Sequence, residues 1–247
     1  MNKWTRWLIA GGLTAIIAGQ PVYSLTIQSP AERVSLLELY SSHGCSSCPP
    51  ADTWLKALDD HPGLWQQLIP MAFHVDYWDK LGWPDRFASA AFSKRQRDYH
   101  YSGALGAVYT PGFVLNGREW RGRFGGSKLG LQQTEMVGRM RLQVDQGKNV
   151  KVQFTPAPHL QGIKLQANLA ILGFGLSSPI GGGENRGRTL EENFVVLSHS
   201  QVDPTGSDWR FAWPDYPARG ASKLAIVVWL NRQDSITPVQ AAGGWLP

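Results

Sequence analysis

Cys45 and Cys48 are the only cysteines among 247 residues, and they stand close together in His43-Gly44-Cys45-Ser46-Ser47-Cys48-Pro49-Pro50. A thiolate exchanges with a disulfide through a mixed disulfide, so an attacking cysteine with a resolving cysteine nearby is a complete exchange unit. A disulfide closing so short a loop gains little by restraining the unfolded chain, which weakens a purely structural role. Cys45 is expected to be the more exposed, attacking thiol and Cys48 the resolving one, with no organic cofactor. An inert disulfide is the plain alternative. Zinc usually takes four ligands and there is no second cysteine pair, which argues against a zinc-cysteine site. A Cu(I) relay through Cys45, Cys48 and His43 suits soft donors better, with His74 and Met71 available on a following strand to complete it. His43, when protonated, would instead stabilise the Cys45 thiolate.

Other residue types could assist. Glu38 precedes Cys45 by seven residues in an otherwise apolar run. There it reads either as a buried acceptor for the resolving thiol's proton or as an ordinary strand-end acid. Trp78, within Asp76-Tyr77-Trp78-Asp79 and shortly before Trp83, offers an aromatic wall for an extended peptide or flat ligand, or else core packing. Asp76 and Asp79 read as loop-anchoring or capping acids. Glu184, Arg186 and Arg188 follow three glycines, where they could clamp an anion or form a network joining two domains. Trp209, Trp213, Trp229 and Trp245 allow a third class of function, a non-catalytic binding module for envelope proteins or glycans.

These residues need elements to position them. Residues 34–40 form a dense apolar run fit for a buried strand, and the cysteine loop follows directly. Pro49 and Pro50 open a helix with Trp54, Leu55 and Leu58 on one face, ending near His61-Pro62-Gly63. A second strand spans 68–75 and a second helix 84–100. The strands 113–115 and 120–124 flank Asn116-Gly117, a strong hairpin dipeptide. Met136, Val137, Met140 and Val144 are spaced for a third helix over 131–146. The order is β-α-β-α-β-β-α. Beyond residue 149 the texture changes to short alternating runs separated by Pro and Gly, which predicts a small antiparallel sandwich bounded near residue 148.

That order, the Cys-x-x-Cys before the first helix and Thr110-Pro111-Gly112-Phe113 ahead of the third strand together resemble the thioredoxin fold. Gly44-Cys45-Ser46-Ser47-Cys48-Pro49-Pro50-Ala51-Asp52, His74-Val75-Asp76-Tyr77-Trp78-Asp79 and the run from Gly183 through Glu184, Asn185, Arg186, Gly187, Arg188 and Thr189 to Leu190 resemble a secreted, thioredoxin-like bacterial family of unknown function. The resemblance implies an α/β thioredoxin-like domain over 25–148 and a β-rich, sandwich-like domain over 149–247. It also implies that Cys45 and Cys48 are the redox pair, that Pro111 is a cis-proline, and that Thr110 presents its backbone to an extended substrate. Ser46-Ser47 is not the dipeptide of the best-known reductants or oxidants, so electron flow is left in either direction. Pro49-Pro50 is expected to delay the regular helix and weaken its dipole at Cys45. The implied partners are thiols or disulfides of proteins in the cell envelope.

Charge and targeting fit an exported protein. Lys3 and Arg6 precede an apolar stretch over 8–18, and Val22-Tyr23-Ser24 gives a cleavage site, so residues 1–24 read as a signal peptide. The expected location is periplasmic or secreted, with no integral membrane segment after cleavage. With 24 Lys+Arg against 19 Asp+Glu and no basic block, no nucleic-acid face is expected.

Overall fold

The computed structural model describes residues 24–122, 129, 131, 135–145, 147–204 and 208–247. Apart from Ser24, the expected signal peptide lies outside the described residues. So do Arg123 and Phe124 of the expected second hairpin strand.

The chain begins with strand β1 (Ser24–Gln28), followed by β2 (Ser35–Ser41), helix α1 (Pro49–Lys56) and β3 (Leu68–His74). Helix α2 (Ala90–Tyr101) leads to the hairpin of β4 (Gly112–Leu115) and β5 (Arg118–Glu119). Next come β6 (Gly138–Asp145), β7 (Asn149–Pro156), β8 (Leu165–Phe174), β9 (Leu176–Pro179) and β10 (Thr189–Glu192). The last four strands are β11 (Val195–Val202), β12 (Asp208–Ala212), β13 (Lys223–Arg232) and β14 (Pro238–Trp245).

Eight strands form one mixed sheet in the order β14-β13-β8-β11-β3-β2-β4-β5. Strand β2 runs parallel to β3, from Ser35 opposite Leu68 to Ser41 opposite His74, and antiparallel to β4. A second sheet, β1-β6-β7-β12, is antiparallel, and β9 and β10 pair by themselves. Apolar runs in β8 and β13 serve two cores because both faces are covered. Leu169, Ile171, Ile226 and Val228 pack with Met140, Leu142, Val150 and Val152 of the smaller sheet. Their alternates Ala170, Leu172, Val227 and Trp229 join Leu39, Phe73 and Phe194.

This architecture corrects the expected fold class. From β2 through Glu119 the order of elements follows the sequence reading, which had no counterpart of β1, but among the described residues there are only two α-helices, and the molecule is β-rich rather than an α/β thioredoxin-like domain with an appended sandwich. In place of the third helix stands β6, where Met140, Leu142 and Val144 are buried and Arg139, Arg141 and Gln143 intervene. The intervals between Met136, Met140 and Val144 satisfy both periods, and only the intervening charges point to a strand. Nor, apart from the β9–β10 pair, do the later strands form a sheet of their own: β11 lies parallel to β3 through Val195 and Ala72, continuing the sheet that holds β2. No helix among the described residues is long and apolar enough to cross a membrane.

Candidate functional site

The site is built where β2 ends. The chain turns after Ser41, with the Cys45 amide donating to the Ser42 carbonyl at 3.1 Å and the Cys48 amide to the Cys45 carbonyl at 3.2 Å. Cys48 is the N-cap of α1, and Pro49 starts the helix immediately, without the expected delay. Proline suits that position because its missing N–H would be unpaired there anyway. Cys45 and Cys48 form a disulfide with Cα atoms 5.4 Å apart.

Cys45, expected to be the more exposed thiol of the pair, is 1% exposed and Cys48 is 0%, so both are buried. Only Ser46 and Ser47 reach solvent, and the Ser47 hydroxyl lies 3.4 Å from Cys45 Sγ. Two segments hold the loop. Trp78 packs so close to Gly44 that a Cβ there would fall 2.9 Å from the Trp78 Cβ, and its indole N–H donates to Thr110 Oγ1 at 2.8 Å. The Thr110–Pro111 peptide bond is cis. From the other side, the Asn185 amide donates to the carbonyls of His43 and Cys45, each at 2.9 Å, and Glu184 Oε2 accepts from the Ser46 amide at 3.1 Å. Arg188 donates to Asn185 Oδ1, while Arg186 is exposed. This segment can sit so low because Gly182 lacks a side chain, whose Cβ would lie 2.5 Å from the Gly82 carbonyl.

Behind the disulfide lies a buried ionic cluster. Asp85 Oδ2 is 2.7 Å from His74 Nδ1, and Asp85 Oδ1 is 3.3 Å from His43 Nδ1. The same carboxylate accepts the backbone amides of His43 at 2.8 Å and Phe87 at 2.9 Å. The other edge of both rings faces Glu192: His43 Nε2 is 2.9 Å from Oε2, and His74 Nε2 is 3.5 Å from Oε1. Burial lowers the His74 pKa, but Asp85 and then Glu192 override it and carry it to about 10. Burial opposes ionisation of Asp85 too, and the neighbouring His74 nevertheless holds it well below the usual carboxylate range. Asp52, one turn along α1 from Cys48, accepts from Ser41 Oγ at 3.0 Å. Its burial, with Glu192 adding to it, pushes its pKa up to about 7.

Of the residues singled out from sequence, the fold gathers Cys45, Cys48, His43 and His74, and brings Trp78, Thr110, Glu184 and Arg188 around the loop. Glu38 goes elsewhere. Side chains of β2 alternate, so Ser41 meets Asp52 of α1, while Glu38 and Tyr40 turn towards Arg95 and Tyr99 of α2. Met71 and His74 are three apart on β3 and point to opposite faces, which separates the thioether from the imidazole. Asp85 and Glu192 were missed, as was Asp52. Their available signals were slight: Asp85 follows a proline and caps the Phe87 amide, and Glu192 is the inward acid of an alternating strand.

Residues 36–231 match the model of a family described as protein of unknown function (DUF1223). No curated protein matches. Among solved structures, protein AGR_C_4864 from Agrobacterium tumefaciens is similar at 22% identity and a TM-score of 0.51, with 86% of this chain and 94% of that one covered. HBP35 of Porphyromonas gingivalis is similar at 11% identity and a TM-score of 0.51, covering 87% of this chain and 76% of that one. Likeness at these identities concerns the fold alone.

Proposed function

We propose, for a chain that belongs to the DUF1223 family of proteins of unknown function, that it is an exported thiol-disulfide oxidoreductase acting through Cys45 and Cys48. The observation that carries this reading is the disulfide itself, set between a strand end and the N-terminus of α1, with a sequence separation of 3. It is compatible with the thioredoxin-like chemistry that the Cys-x-x-Cys motif suggests. A bond across so few residues does little as a staple, whereas the helix N-terminus favours a thiolate.

In the cycle, a substrate thiolate attacks Cys45 Sγ, forming a mixed disulfide and releasing Cys48 as the thiolate. A second substrate thiolate then attacks the substrate sulfur of that bond, producing the substrate disulfide and freeing Cys45. The substrate's two thiols lose two electrons and two protons, and the cysteine pair gains the electrons. The same steps in reverse reduce a substrate disulfide. Asp52 is suited to exchange a proton with Cys48, being buried and one turn away on the same helix. Thr110 and Trp78 would present the substrate. Because both cysteines are covered, substrate access requires the Trp78 or the Glu184–Asn185 side of the loop to move. The ring nitrogens of His43 sit among the carboxylates of Asp85 and Glu192, hard donors that suit Cu(I) poorly, which favours exchange over a Cu(I) relay built from Cys45, Cys48 and His43.

The test is trapping. The Cys48→Ser variant should accumulate mixed disulfides on Cys45, and Cys45→Ser should accumulate few; equal trapping by the two variants would contradict the assignment. Equilibration with glutathione buffers should give a reversible transition between about −120 and −270 mV, its position setting the direction of electron flow. A pair that never exchanges with glutathione would remove the function altogether.

A further inference from the structure

The cluster behind the disulfide contains more imidazole and carboxylate than thiol exchange uses. His43 and His74 are each 1% exposed and Glu192 is 2% exposed. One ligand atom from each of these three residues lies within 4.8 Å of the other two. His74 Nε2 is buried and has no hydrogen-bond partner, although Glu192 Oε1 lies 3.5 Å away. An orphaned imidazole nitrogen is costly in a protein interior, so its position calls for an occupant.

We propose that His43 Nε2, His74 Nε2 and a Glu192 carboxylate oxygen form a binding site for one borderline divalent cation, with Zn(II) the best fit, and that the sulfurs of Cys45 and Cys48 take no part in it. Two imidazoles and one carboxylate are a donor set that zinc favours, leaving a fourth position for water. Asp85 supplies the outer support: Oδ2 lies 2.7 Å from His74 Nδ1 and Oδ1 3.3 Å from His43 Nδ1, so that with the proton on Nδ1 of each ring the Nε2 lone pairs would be left to coordinate.

The charge count agrees. A dication, two neutral imidazoles and the Asp85 and Glu192 carboxylates sum to zero in a place where net charge is expensive. Tetrahedral coordination at zinc-nitrogen lengths places ligand atoms about 3.4 Å apart, so the 2.9 Å His43–Glu192 contact must open slightly while no ligand pair, all lying within 4.8 Å, has far to close. A groove between α1 and β10, lined by Pro49, Asp52, Lys56, Leu190 and Glu192, brings solvent up to the Glu192 residue.

The experiment uses the full mature chain, loaded with Zn(II), passed through a desalting column and analysed by metal mass spectrometry. About one zinc per chain is expected. The Cys45→Ser/Cys48→Ser double variant should retain it, and Glu192→Gln and His74→Asn should lose at least tenfold in affinity. X-ray absorption should show only nitrogen and oxygen neighbours at about 2.0–2.1 Å. A sulfur shell near 2.3 Å, or loss of zinc in the double cysteine variant, would overturn the site in favour of a cysteine centre. If the cluster variants do not fold, the wild-type chain still decides the matter: no bound Zn(II), together with a Tm unchanged by zinc or chelator, rejects the proposal. The measurement on the double cysteine variant is independent of thiol exchange, so either reading can fail alone.

Discussion

Glu38 accepts hydrogen bonds from Tyr40 at 2.8 Å and Tyr99 at 2.6 Å, and from Arg95 at 2.8 and 2.7 Å, so both of its oxygens are occupied. Arg95 is largely covered, its side chain 10% exposed, and stacks near Phe73, Tyr99 and Trp229. Removing one member of such a pair strands the other in the interior. Arg95→Met should therefore lose about 3–5 kcal/mol in denaturant unfolding. Glu38→Gln, in contrast, should leave the rate of thiol exchange within about twofold once folding is accounted for, because its carboxylate faces α2. A large fall in rate at unchanged stability would return Glu38 to the chemistry. Residue type and spacing were enough to find Cys45, Cys48, His43 and His74. Asp85 and Glu192 acquire their roles only through pairing across the fold, the second of them 149 residues from His43, and no local pattern distinguishes such acids from surface ones.

Elements were legible where one period excluded the other. The apolar runs of β2 and β3 and the proline-opened α1 admitted a single reading. In β6 the apolar positions satisfied two periods, and the partner strands β1 and β7 decided between them by supplying the backbone hydrogen bonds. Strand β11 also carries a pH-sensitive element. His199 lies flat against Trp229 at 5.2 Å, with Nε2 at 3.1 Å from Asn168 Oδ1. Burial, helped by the Arg95 cation, pushes its pKa from 6.5 down to about 3. The folded chain keeps this ring neutral while the unfolded chain protonates it below pH 6.5, so stability is lost as pH falls from 6.5 towards 3. His199→Phe should lose less stability than the wild type between pH 7 and pH 4.5, measured by denaturant titration at both. An identical loss in the two proteins would show that His199 does not titrate in this range.

At the scale of the whole molecule, one sheet runs from β14 to β5 and its core ignores the compositional change near residue 148. Trp65 packs against Phe174, Phe194 and Trp245, and Gln240 is bonded to the backbone of Val34, Pro30, Glu32 and Gly138. A fragment of residues 24–148 would leave β3 without β11 and expose Trp65 and Phe73. It should lack a cooperative thermal transition, whereas the full chain should unfold in one calorimetric step; an independently folding fragment would show that the first segment carries its own core. Composition announces a change of texture, but sheets are joined by backbone pairing, which composition does not encode. The same long-range closure sets an order of events during synthesis. Asn185 and Glu192 emerge well over a hundred residues after the cysteines, an interval of roughly 7–30 s at ribosomal rates. Throughout that time the thiols lack their Asn185 cover and the two imidazoles have Asp85 but not Glu192, so an oxidant or cation present then would reach them before the last wall arrives to shut them in.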